Sequence, residues 1–407
     1  MNQYGFTILI AAALAGALVV SGLDPALANP SLAAAGAFIA LACLAPPSGR
    51  VALLGLQRLH APAMFAFAVL VLALVLSSLG LTGEAGERAR HAALQLFTLA
   101  LLAGAVGAIA GAFGRTRMLS FLIGAAVLAA FVILAAGGLD AQTPVGRIPA
   151  GLQDPAVASA YGLVAILSIF AAADELRRRP AAGGRSLPPL ARRMFLPMAG
   201  LTTAFAMLLL AGSASALAGA AVGGVAFAAA LALRARTSRV GLALVPAVAA
   251  LSVFAAGLAA LAAGAGGGLG WIGAGPIDET TLSPATDALA RWGERPALGH
   301  GLNSLQLPSS PTALRWLAET GYLGMTLALI VAAALLAGLI TLKDRGRPFS
   351  RGFILAAGLV GFAVTDMLLS SAFDQPAPAF ALAIMLGLAL SYLDFESTSR
   401  ARTPHAG

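Results

Sequence analysis

The chain has 407 residues, of which 59% are hydrophobic and only 10% are charged, and its mean hydropathy is +0.90. This composition excludes an ordinary soluble domain, and its long unbroken apolar runs exclude a transmembrane β-barrel, whose strands alternate in polarity. The formal net charge of +8 does not predict a nucleic-acid partner, because the basic residues are distributed as membrane topology would place them.

Twelve stretches are each long enough to cross the ~30 Å hydrocarbon core, which takes roughly 20 apolar residues. The sequence therefore predicts an all-α fold, a polytopic transmembrane helical bundle that forms a single integral membrane domain over residues 1–407. The predicted spans are 5–22, 28–46, 62–82, 91–113, 118–138, 156–173, 194–212, 215–233, 240–262, 318–342, 352–372 and 376–394.

The arginines predict the orientation of these spans. With the N-terminus in the cytoplasm, 19 of the 25 basic residues fall on the cytoplasmic side, as the positive-inside rule requires. Both termini are then cytoplasmic. An uncleaved first span is favoured over a signal peptide, because no positive charge precedes it. We expect a multi-pass protein of the bacterial inner membrane, surrounded by the lipid bilayer.

The outer face carries a large periplasmic loop, residues 263–317, between spans nine and ten. Loops of this length are usually functional or disordered. At its C-terminal end Arg315 and Glu319 are four residues apart on a helix, which suits either an intrahelical ion pair or a site. His300 lies between two glycines and is a candidate acid or base. Arg291 and Arg295 precede it and are candidate anion contacts.

Two further residues are candidates outside this loop. Arg147 lies near the outer surface, against the general bias of the arginines, and its planar guanidinium suits phosphate. Asp366 lies within an apolar span, where a carboxylate is either functional or paired for structure. Asp154-Pro155 reads as the capped start of a helix. Because the histidines are scattered and Cys43 is the single cysteine, we expect no metal site.

Several segments, which follow one another along the chain in the family's order, resemble the O-antigen ligase and O-antigen polymerase superfamily of bacterial envelope glycosyltransferases. "LRWLAETGYLG" is similar to that family's start of the span after its large loop, and "SSAFDQPAPAFALAIMLGLAL" is similar to its last hairpin. The other similar segments are "RIPAGLQDPAVASAY", "LLLAGSASALAGA" and "ALARWGERPALGHGLNSL". The resemblance covers roughly residues 90–394.

The resemblance implies transfer or polymerisation of an undecaprenyl-diphosphate-linked glycan at the periplasmic face, without a cofactor. The acceptor would be lipid A core, a growing polymer or another glycan. It implies Arg147 as a substrate contact. Arg291, Arg295 and Arg315 are candidates to replace cations that the family has elsewhere, and Asp366 is a further candidate contact from its place in an apolar span. His300, in place of the family's imidazole, and Glu319 are the candidate catalytic groups.

The register set by "LAETG" puts Ser310 at the family's histidine, and the turn in "LLLAGSASALAGA" puts Ala214 at one of its arginines. Two alternatives therefore stay open: a non-catalytic scaffold of a polysaccharide assembly complex, and a secondary transporter.

Overall fold

The computed structural model describes residues 3–23, 36, 38, 61–79, 81–139, 154–177, 187–235, 279–305, 307, 310–341 and 350–401. Within these residues every regular element is a helix. The α-helices are α1 (Gln3–Leu23), α2 (Ala61–Leu79), α3 (Gly83–Phe113), α4 (Arg115–Leu139), α5 (Pro155–Arg177), α6 (Leu187–Ala211), α7 (Ala214–Ala235), α8 (Glu279–Glu294), α9 (Thr312–Thr341), α10 (Arg351–Leu369) and α11 (Pro376–Ala401), and a 3₁₀ turn covers Ala372–Asp374.

Eight helices in the described part are long and apolar enough to cross a membrane, and shorter apolar stretches lie at Met64–Ser78 and Pro376–Tyr392. The chain is therefore a helical bundle of the multi-pass membrane type. Predicted span 240–262 and all of span 28–46 except residues 36 and 38 lie outside the described residues, while a helix covers most of each of the others. The count of twelve spans and their orientation remain predictions.

Helix α5 is the centre of the bundle. About 94% of its apolar stretch is buried inside the protein, against 28% for α6 and for α9, which lie at the periphery. Asp154 and Pro155 start α5 as predicted, since the Ala156 amide donates to Asp154 Oδ1 at 2.9 Å.

Glycines allow α5, α7 and α10 to approach closely. A Cβ on Gly223 of α7 would lie 2.7 Å from Gly358 O of α10, and a Cβ on Gly162 of α5 would overlap the ring of Phe362. Small residues at such contacts are the usual means by which membrane helices pack without large side chains.

The two ends of the bundle carry different polar contacts. At one end Gln375 Nε2 donates to Asp154 Oδ1 at 2.9 Å, and the Thr312 amide donates to Ser370 O at 2.9 Å. Gln375 also lines the cavity that is described in the next section, so we call this the cavity end. At the other end Arg351 pairs with Asp174 at 2.8 Å, and the guanidinium of Arg115 lies 5.2 Å from the ring centroid of Tyr392. Segments predicted to be periplasmic thus meet at the cavity end, and arginines predicted to be cytoplasmic lie at the other.

Candidate functional site

The loop after α8 is bound to α9 through the backbone. Gly321 interrupts α9 with φ 63° and ψ −169°, which takes neighbouring carbonyl and amide groups out of the helical pattern. Four backbone hydrogen bonds then join the loop to this interruption: His300 N to Ala318 O (3.3 Å), Gly301 N to Glu319 O (2.7 Å), Tyr322 N to Pro296 O (2.9 Å) and Leu323 N to Ala297 O (3.1 Å).

Glycine is required on both sides of this contact. A Cβ on Gly321 would lie 2.5 Å from Ala297 O and 2.6 Å from Gly299 N, and one on Gly299 (φ 67°) would overlap the Glu319 carbonyl. These neighbours are backbone atoms, so no side-chain rotation relieves the overlap. The two glycine-containing motifs of the sequence, "LGHGL" and "LAETGYLG", therefore pack against each other through their backbones.

The buried side chain of Glu319 also holds this loop, through a hydrogen bond to its backbone. It is fully buried, and its Oε2 accepts a 2.6 Å hydrogen bond from the Asn303 amide. Its Oε1 lies 3.7 Å from Arg315 Nε, which confirms the ion-pair interpretation of their four-residue spacing. Arg315 Nη1 in turn lies 3.0 Å from Asp374 Oδ2. Two carboxylates thus contact two different edges of one guanidinium.

Asp374 lies in the turn between α10 and α11, outside the apolar helices, and its side chain is only 13% exposed. Burial raises the pKa of Asp374 to about 6, while the Arg315 charge and a hydrogen bond from Thr312 oppose the rise. This carboxyl therefore changes its charge close to neutral pH.

Beside this cluster is a cavity of about 430 Å³. Its walls come from α3, the loop around Asn303, the first turns of α9, and the start of α11. The polar lining residues are Arg88, His91, Gln95, Thr98, Asn303, Arg315, Asp374 and Gln375. A volume of this size is typical of a small-molecule site.

The cavity becomes more apolar along α3. Arg88, His91 and Gln95 line its outer part at helical spacing, and Leu96 and Leu99 line its inner part together with the polar Thr98, while Phe380 lines it from α11. From Arg88 to Leu99 the helix rises roughly 16 Å, at about 1.5 Å per residue. An amphiphile with an anionic head and an apolar tail fits this gradient.

The two cavity arginines have unused donors. In the described part of the chain neither Arg88 Nε nor Arg315 Nε has a hydrogen-bond acceptor. The partner of Arg88 is Glu84 at 3.7 Å, and Glu84 is 91% exposed, so this pair contributes little stability. These Nε atoms are buried, and that of Arg315 faces Glu319, so an anion in the cavity would be contacted through the Nη groups.

His91 has a defined tautomer. Its Nδ1 lies 2.9 Å from the Glu87 carbonyl oxygen of the preceding helical turn, and a carbonyl can only accept. The proton is therefore on Nδ1 in the neutral ring, and Nε2 keeps its lone pair. A base is thus available on the cavity wall.

Three predicted site residues lie away from the cavity. His300 Nε2 donates to the Arg291 carbonyl oxygen at 2.8 Å and lies 3.7 Å from Glu294, so this imidazole fastens the loop to α8. Arg291 is exposed and paired with Glu294 at 3.3 Å. Arg295 is exposed at the end of the same segment. Arg315 lines the cavity, and Glu319 supports it.

Asp366 is buried in helix packing, where its carboxyl accepts hydrogen bonds from the hydroxyls of Ser159 and Ser370, the latter at 3.0 Å. The residues lining the cavity do not include it. Arg147 lies outside the described residues. Ser310, at the family's histidine position, is fully buried, and Ala214 begins α7.

Sequence reasoning missed Arg88, His91, Gln95 and Asp374 as site residues. The spacing of the first three was a usable signal, because polar residues at i, i+3 and i+7 share one helix face. No local sequence pattern predicts Asp374 as a site residue, because its importance comes from its contact with Arg315 of α9.

No family model matches the sequence, and no curated protein matches it either. Fold and site together define a class: a multi-pass helical membrane protein with an amphiphilic, arginine-bearing cavity at one end of its bundle.

Proposed function

We propose that this chain transfers or polymerises a glycan carried on undecaprenyl diphosphate, at the periplasmic face of a bacterial inner membrane. The cavity end would then face the periplasm, with both termini in the cytoplasm. The acceptor would be lipid A core, a growing polymer or another glycan. The resemblance to the O-antigen ligase and polymerase superfamily supports this proposal from the sequence.

The observation that carries the proposal is the gradient of the cavity. Arg88 and Arg315 would contact the diphosphate at the outer part, and the isoprenoid would extend along Leu96, Leu99 and Phe380. A free, soluble sugar nucleotide would leave this apolar inner part unused.

The chemistry follows from the same residues. The acceptor hydroxyl oxygen forms a bond to the anomeric carbon, and the bond between that carbon and the phosphate oxygen breaks, so the diphosphate leaves with the electron pair. His91 Nε2 takes the hydroxyl proton. Arg88 and Arg315 stabilise the charge that gathers on the diphosphate, a contribution typically worth on the order of 10²–10³ in rate for each donor removed.

The test uses the full chain in lipid nanodiscs, supplied with undecaprenyl-diphosphate-linked glycan and a glycan acceptor. We expect transfer by the wild type, and a loss on the order of 10²–10³ for Arg88→Gln and for Arg315→Gln. Arg90→Gln is the matched control, because Arg90 lies on the same helix, is exposed and does not line the cavity. Equal rates for all these variants would refute the assignment.

A scaffold within a polysaccharide assembly complex is the second candidate, supported by Ser310 and Ala214 at family positions of histidine and arginine. It predicts no transfer by the purified protein, yet loss of assembly on deletion. A secondary transporter has less support, since the buried carboxyl of Asp366 is held by serines away from the cavity.

A further inference from the structure

We propose that Asp374 controls Arg315 by proton uptake, so that the cavity binds its anionic lipid ligand together with one proton. When Asp374 is ionised it holds the Nη edge of the guanidinium. When it is protonated that edge is released toward the ligand phosphate. This inference rests on the proposed function only for the identity of the ligand as a lipid-linked phosphate.

The geometry gives the two carboxylates different roles. Glu319 is fully buried and contacts the Nε edge of Arg315, and its other oxygen is committed to the Asn303 amide. Asp374 contacts Nη1 at 3.0 Å and itself lines the cavity. Loss of the Asp374 contact therefore leaves Arg315 anchored by Glu319 while Nη1 is free to bind within the cavity.

The charges of Glu319, Asp374 and Arg315 favour uptake of a proton when an anion binds. With both carboxylates ionised, one guanidinium faces two negative charges in a largely buried place, which is costly. An anionic ligand would add further negative charge to the same volume. Uptake of a proton by Asp374 removes one of these charges and makes Arg315 available in the same step.

Other titratable and charged groups also face Asp374. Arg315 and Glu319 come from α9, Arg88 and His91 from α3 across the cavity, and Asp154 from α5, through its hydrogen bond to Gln375. Glu319 is a second buried carboxyl on the same guanidinium, and His91 is a base on the opposite wall. Any test must therefore separate the proton of Asp374 from protons on these groups.

The size of the effect follows from the fraction of protein with Asp374 protonated. Burial raises the pKa of Asp374 to about 6. If the protonated form is the one that binds, the apparent Kd rises about tenfold for each pH unit above that value. From about pH 5.5 to about pH 8 the expected weakening is roughly 50- to 100-fold.

The experiment measures binding of a short-chain polyprenyl-diphosphate-linked sugar to the full chain in nanodiscs, as a function of pH. The two phosphates of this probe carry no titrating proton in that range, so a change in affinity belongs to the protein. We expect wild-type binding to weaken as the pH rises. Asp374→Asn should bind at every pH about as tightly as the wild type does in acid, and His91→Gln should keep the pH dependence.

A second measurement needs no variant. Calorimetry of wild-type binding in buffers of different ionisation enthalpy at pH 8 should show uptake of about one proton per ligand. Binding without proton uptake would overturn the inference, as would pH dependence that persists in Asp374→Asn or disappears in His91→Gln. In each of these cases the probe still binds, so the proposed function stands. Absence of binding by every protein at every pH would overturn both.

Discussion

Replacing Gly321 with alanine should release residues 296–303 from α9. The left-handed backbone at Gly321 costs a residue with a Cβ about 1–3 kcal/mol, and the added methyl group would lie 2.5 Å from Ala297 O. Detachment also loses four backbone hydrogen bonds, each worth about 0.5–1.5 kcal/mol net. These hydrogen bonds are lost on detachment in the wild type and in the variant alike, so only the backbone penalty and the overlap change the population of the detached loop. A penalty of about 1–3 kcal/mol raises that population by roughly 5- to 150-fold.

Hydrogen–deuterium exchange of the full chain in nanodiscs measures this directly. Amides of residues 299–303 and 322–323 should exchange at least about fivefold faster in Gly321→Ala, while those of α5 keep their protection. Gly293→Ala is the matched control, because Gly293 lies in the last turn of α8 and a Cβ there meets nothing within 4 Å. Unchanged protection in Gly321→Ala would refute the reasoning that backbone contact between the two glycine motifs holds the loop.

Three further predictions concern individual carboxylates and one arginine. Glu319→Gln keeps the shape of the side chain but removes its charge beside Arg315. We expect the free energy of unfolding to fall by about 1.5–3 kcal/mol, measured as a lower melting temperature of the purified protein. An unchanged melting temperature would contradict this expectation. Asp366→Asn should retain transfer within about threefold, because that carboxyl contacts serines and does not line the cavity; loss of activity with normal stability would show that it binds substrate. Arg147→Ala should abolish glycan transfer in a complementation assay, because the rate should fall by a factor on the order of 10²–10³. Wild-type amounts of surface polysaccharide in that variant would show that Arg147 does not contact the substrate.

The helices were predictable because membrane insertion leaves a strong local pattern. A run of about 20 apolar residues has few alternatives to a helix. The boundaries were less accurate where polar residues continue a helix: α3 begins at Gly83 and α9 at Thr312, before the predicted spans 91–113 and 318–342. In both cases the additional turns are more polar than the rest of the helix and carry cavity residues, Arg88 and Arg315.

The site was only partly predictable, because its walls come from distant parts of the chain. The stretch Gly299–Gly324 was singled out by its change of polarity, and the spacing of Arg315 and Glu319 predicted the contact that the structure shows. His300 was chosen for its glycine neighbours, yet those glycines serve the backbone contact with α9 and the imidazole turns to Arg291. His91 was passed over, because only the packing of α3 beside α9 and α11 gives it a cavity to face.

Photolabelling with a diazirine-bearing polyprenyl-diphosphate-linked sugar tests the central claim most directly. The full chain in nanodiscs would be irradiated with this probe, digested, and the labelled peptides mapped by mass spectrometry. Labelling on α3 between Arg88 and Leu99 and at the start of α11 near Phe380, competed by unlabelled lipid and lost in Arg315→Gln, is the predicted result. Competable labelling confined to α8 around Arg291, with none on α3 or α11, would contradict the account.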